Sequence, residues 1–184
     1  MIEPKTDIER LKSSKEFKEW QSNNQDSYLS DFFCILDDES SEDNIWQIDY
    51  YNPKEDTMTS FELPADKRKS CKLKQASSKI YKKENDIVEK LELNKVEWND
   101  ADIISIAKEK LKEEHSSEIT TKTILILQHN KELKRTIWNL TFMTSALNMY
   151  NAKIDASDGS VLESSLKSAI SLKKEILPGK DSED

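Results

Sequence analysis

Ile45-Trp46-Gln47-Ile48-Asp49-Tyr50 alternates apolar with polar side chains, and Ile137-Trp138-Asn139-Leu140-Thr141-Phe142 repeats the pattern 92 residues later. Successive side chains of a strand point to opposite faces, so each segment reads as a strand with one buried, aromatic-rich face. The offset is half of the 184-residue chain. In each half a helical pattern precedes the strand and a second strand follows it, as expected of a duplicated unit. The expected fold class is therefore α+β, with two related units of helix packed on antiparallel β-sheet. Residues 1–84 are expected to form a degenerate first unit, 85–172 the second, and 173–184 a charged tail that frays.

Working outward from the first strand, Ile8, Leu11, Phe17, Trp20, Tyr28, Leu29, Phe32, Phe33 and Leu36 fall at spacings of three and four. They predict helices within 6–36, interrupted at Gln21 to Asp26. Cys34 falls inside this pattern as a small core residue. Asn52-Pro53-Lys54-Glu55-Asp56 is turn chemistry, and Thr57 to Leu63 supplies the returning strand. Lys-rich 67–83 reads as a solvated edge strand, since lysines protect exposed sheet edges. Asn99 is placed to cap a helix over 99–113 whose inward face carries Ile103, Ile104, Ala107 and Leu111. Strands follow at 122–129, 135–144 and 149–156, and Asp158-Gly159 is a turn dipeptide.

Composition limits what the chain does. Apolar residues are 35% against a usual 45–50%, which implies a thin core. A formal net charge of −8 argues against nucleic acid and anionic membrane surfaces, both of which need a positive field. No stretch has the roughly 18 apolar residues of a membrane helix, and Met1 to Arg10 lacks a signal-peptide pattern. A cytoplasmic location is the default expectation, and an extracytoplasmic one follows if a signal or anchor has been removed.

The C-terminal half, roughly 99–165, resembles the PepSY domain family. The residues that carry the resemblance are Asp155-Ala156-Ser157-Asp158-Gly159-Ser160-Val161-Leu162, after a helix containing Ile103, Ile106, Ala107 and Leu111. The first half departs from the pattern, having Asn52 to Asp56 where the glycine turn would be. The resemblance implies a PepSY/cystatin-like helix on antiparallel sheet, in a family associated with peptidase propeptides and extracytoplasmic binding or regulatory modules. It carries over no catalytic residue. Asp155, Asp158 and Gly159 are read as structural turn residues.

Candidate chemistry is sparse. With glycines only at 159 and 179, neither a phosphate-cradling loop nor a dinucleotide fingerprint can be written. His115 and His129 share no motif, Glu113-Glu114-His115 reads as a charged helix end, and Asp37 to Asp43 lacks a calcium-loop framework. Cys34 and Cys71 show no metal spacing. No cofactor, metal site or catalytic residue is expected. Trp46, Tyr50, Trp138, Phe142 and Tyr150 are read as core. The leading functional expectation is a non-catalytic protein-binding or regulatory module, peptidase inhibition included, that takes a protein or peptide by edge-strand or sheet-face contact. Lys72, Lys74 and Lys79 are its candidate partner-binding residues. The alternative is a small-molecule enzyme or ligand-binding protein with a pocket between helix and sheet, using His129 or a carboxylate as base. The sequence leaves the oligomeric state open.

Overall fold

The computed structural model describes residues 2–37, 43–79 and 87–169. The chain opens with helices α1 (Pro4–Ser13) and α2 (Lys15–Asn23) and strands β1 (Tyr28–Leu36), β2 (Ile45–Asn52), β3 (Thr57–Pro64) and β4 (Lys72–Lys79). After a short 3-10 turn at Leu93–Lys95 come helix α3 (Asp100–Glu114) and strands β5 (Thr120–Asn130), β6 (Arg135–Thr144), β7 (Asn148–Asp155) and β8 (Val161–Ser168). Pro4 suits the first turn of α1, where its missing N–H is no loss. Ser14 ends α1 and caps α2 by accepting from the Phe17 N–H at 3.2 Å. Asn99 caps α3 as its sequence position predicts, accepting from the Asp102 N–H at 3.0 Å.

All eight strands form one antiparallel sheet in the order β4-β3-β2-β1-β5-β6-β7-β8. This corrects the expected architecture of two helix-on-sheet units. Asp31↔Gln128 through Leu36↔Thr123 pair β1 to β5, so residues from both halves belong to a single sheet, and strand rather than helix dominates. Each half is a four-strand meander, and segments 45–50 and 137–142 are the second strand of each.

The second correction concerns residues 28–36, which form a strand and not a helix. Phe32, Cys34 and Leu36 are buried on one face while Phe33 and Ile35 point to the other. β1 lies at the sheet's centre, and a short run apolar on both faces satisfies helical and strand spacing alike. The helical break therefore falls at Ser14, ahead of Gln21 to Asp26.

A single core fills one side of the sheet. Ile8, Leu11 and Phe17 from the first two helices and Ile103, Ala107 and Leu111 from α3 pack there with Phe32, Ile48, Phe61, Leu125 and Leu140. Trp46, Tyr50, Trp138, Phe142 and Tyr150 are buried in it, as expected. Trp46 and Trp138 meet edge to face at 6.1 Å, so the two alternating segments touch across the core. Residues 38–42 of the acidic run, 80–83 of the Lys-rich segment, the 84/85 boundary and the tail 173–184 lie outside the described residues.

Candidate functional site on the second face of the sheet

Pairing registers fix what the other face carries. Ile35 and Ile124 lie in register on β1 and β5, beside a row of Gln47, Phe33 and Ile126, and Ile45 opens β2 two residues before Gln47 on the same face. Ile35 and Ile45 are 46% and 48% exposed. The three helices bury their apolar residues on the opposite side, so this central patch is apolar without belonging to the core.

The next row runs Ser60, Asp49, Asp31, Gln128 and ends near a cleft of about 490 Å³ lined by Ser30, Asp31, Met58, Val88, His129 and Glu132, among others. Two carboxylates on adjacent strands therefore sit side by side in a largely buried position, Asp49 being 7% exposed. Burial pushes the Asp31 carboxyl up to about 7, with the Asp49 charge acting in the same direction and the Ser30 hydroxyl opposing it. Ser30 Oγ donates to Asp31 Oδ2 at 2.8 Å. Gln47 Nε2 donates to Asp49 Oδ1 and Oδ2 at 3.0 and 2.8 Å, while Gln47 Oε1 accepts from Lys74 Nζ at 2.9 Å. These hydrogen bonds link the two carboxylates to Ser30 on one side and to Gln47 and Lys74 on the other.

His129 lines the same cleft, and its buried Nδ1 has no hydrogen-bond partner among the described residues. His115 caps α3 and packs its ring 6.1 Å from Tyr150, so the two histidines have separate surroundings. Glu114 is taken up by Tyr150 and Ser164, which donate to it at 2.9 and 3.0 Å. Among the described residues no group of three or more His, Cys, Asp or Glu side chains is placed to hold a metal ion. Cys34 and Cys71 are both free and buried.

Lys72, Lys74 and Lys79 are exposed along β4, at one edge of the sheet. Residues 155–162 span the β7–β8 connection. Asp155 Oδ1 accepts from the N–H and the hydroxyl of Ser157 at 2.8 and 2.6 Å, and Oδ2 accepts from Arg135 at 2.6 Å. Burial would raise this carboxyl, but the Ser157 and Arg135 bonds outweigh it and hold it below the usual carboxylate range. Asp158 Oδ1 accepts from the Ser160 N–H at 2.8 Å. Gly159 has φ +74°, and a Cβ there would meet the Trp98 ring at 2.9 Å. By place in the sheet, the counterpart of this connection in the first half is the link from β3 to β4, not Asn52 to Asp56, which joins β2 to β3. Ala65 N–H donates to Asn44 O at 2.8 Å just as Ala156 N–H donates to Thr136 O at 3.0 Å.

The sequence reading missed Asp31, Asp49 and the apolar patch. The available signals were an Asp between Ile48 and Tyr50, and the unbroken runs Phe32 to Leu36 and Ile124 to Leu127, apolar on both faces of a strand.

No family model matches the chain, and no curated protein sequence does either. Among solved structures, its fold is similar to that of a presumed lipoprotein from Clostridium difficile 630, at a TM-score of 0.54 and 18% identity over 82% of this chain and 89% of that one. No helix among the described residues is long and apolar enough to cross a membrane.

Proposed function

We propose that the chain is a non-catalytic binding module of PepSY-like type that takes a protein segment on the second face of its sheet. The observation that carries this reading is the pair of rows Ile35 with Ile124 and Phe33 with Ile126, joined on the same face by exposed Ile45, an apolar patch that the helices do not use. Contiguous exposed apolar surface rimmed by polar groups is characteristic of interaction sites. The Asp31–Asp49 pair and Glu89 and Glu132 of the adjoining cleft outnumber Lys131 there, so the fitting partner alternates apolar with basic side chains. Lys74, tied to Gln47, stands at the rim of this surface. The turn built by Asp155 and Gly159 supports the PepSY-like reading, and the lipoprotein description of the similar structure supports action outside the cytoplasm.

Calorimetric titration with short peptides alternating Leu with Lys, and with matched peptides alternating Leu with Glu, tests the proposal. The basic series is expected to bind, and Ile35→Asp to weaken it by about tenfold or more. Equal binding of the acidic series, or unchanged binding by a folded Ile35→Asp variant, overturns the reading.

A further inference from the structure

The sheet is open, and its two edges are built differently. β4 carries exposed Lys72, Lys74 and Lys79, and its pairing with β3 shifts register between Met58 and Ser60 and again between Ser60 and Phe61. Charge and irregularity of this kind keep an edge from pairing further. β8 carries one lysine, and its pairing with β7 runs unbroken from Asn148↔Ser168 to Lys153↔Glu163. Among the described residues no strand lies beyond it.

Register fixes which groups this edge offers. Ala169 N–H donates to Leu147 O at 3.0 Å, so Leu147 and Ala169 are a hydrogen-bonded pair, and every second residue before Ala169 is bonded likewise. Lys167, Ser165 and Glu163 therefore spend their backbone groups on β7, and Ser164, Leu166 and Ser168 turn theirs outward. Side chains alternate between the faces. Glu163, Ser165 and Lys167 stand exposed on the second face, paired with Lys153, Asn151 and Met149, while Leu166 packs against the core. Glu163 Oε2 accepts from Lys153 Nζ at 2.7 Å, yet the Glu163 side chain stays 52% exposed. Lys167 has no ion-pair partner among the described residues.

We infer that β8 is a self-pairing edge, which joins β8 of a second copy of this chain antiparallel about a two-fold axis at Ser165. The outward-turned residues then meet, Ser164 with Leu166 of the second copy, in hydrogen-bonded pairs. Glu163 comes opposite Lys167 of the second copy in the closer, non-hydrogen-bonded pairing, and the symmetry repeats this contact on the other side of the axis. An axis at Ser164 or at Leu166 would also bring outward groups together, but would set both charges opposite neutral residues. A second copy is the fitting occupant because the strand complements itself, and such an interface closes at two chains. The inference stands whatever the second face binds.

Sedimentation velocity on the full chain, with circular dichroism as the check on folding, tests the assignment. Wild type is expected to dimerise with a dissociation constant below about 100 μM. Lys167→Glu sets two negative charges against each other at both contacts and is expected to weaken the dimer by about tenfold or more. Glu163→Lys does the same with positive charges. An equimolar mixture of the two variants again faces opposite charges at both contacts, and is expected to recover dimers about as tight as those of wild type. Lys167→Glu, at an exposed position without an ion pair, keeps the test decisive if loss of the Glu163–Lys153 contact disturbs the sheet. A monomeric wild type at about 100 μM, assemblies larger than a dimer, unchanged dimerisation of folded Lys167→Glu, or no recovery in the mixture of folded variants overturns the inference.

Discussion

Replacing Asp31 by Asn removes a titration that the fold makes unfavourable. In the native sheet Asp31 lies between Asp49 on β2 and Gln128 on β5, and its carboxyl is raised from 3.8 to about 7, by burial first and by the Asp49 charge second. Because the folded state holds this proton more tightly than the unfolded chain does, the contribution of Asp31 to stability is full below about pH 4 and is lost as pH rises through about 7. A rise of about three pH units, at about 1.4 kcal/mol each, sets an upper limit of about 4 kcal/mol on that loss. Asp31 is partly reached by water at the cleft, so about 2–3 kcal/mol is the expected size. Asn imitates the protonated carboxyl at all pH values. Urea unfolding followed by tryptophan fluorescence should give wild type and Asp31→Asn nearly equal stabilities at about pH 4. The variant should be ahead by about 2–3 kcal/mol at about pH 8. The difference between the two curves cancels the carboxylates common to both. Parallel profiles across this range would refute the reasoning.

Gly159→Ala combines a positive φ with a contact to Trp98 inside van der Waals distance, and should lower stability by about 1–3 kcal/mol in thermal melts; an unchanged midpoint would show that the turn is not held as described. Leu147 adopts φ +57° in the β6–β7 turn and is exposed. Leu147→Asn, better suited to that conformation, should raise stability by about 0.5–1 kcal/mol in the same melts, and a lowered midpoint would count against strain there.

How much of this was legible depended on how many faces of each element meet the core. β2, β6 and β7 carry inward side chains that alternate with polar ones, and their sequence positions were readable almost to the residue. The α3 helix was marked by Asn99 and by an apolar stripe. β1 was misread because the centre of a sheet asks for apolar residues on both faces, and alternation vanishes there. Whether the halves join into one continuous sheet was left open by the sequence, since pairing of β1 with β5 is specified by matching apolar runs, not by a turn motif. The same holds for the candidate surfaces. Asp31 and Asp49 become noteworthy only through neighbours supplied by register.

The β1–β5 seam also says how the chain must acquire its fold. Every other strand pair joins neighbours along the chain and closes a short loop, whereas Leu36↔Thr123 and its companions span roughly 90 residues. The entropy of closing that long loop is lost before its contacts are made, so the local meanders have the shorter search and the seam carries the main kinetic barrier. The run Phe32-Phe33-Cys34-Ile35-Leu36 and its partner Ile124-Leu125-Ile126-Leu127 then form two bare strand edges of matched hydrophobicity until they meet. In the interval each is a template for a second molecule's counterpart, which makes exchange of whole meanders between chains the characteristic misassembly of this fold.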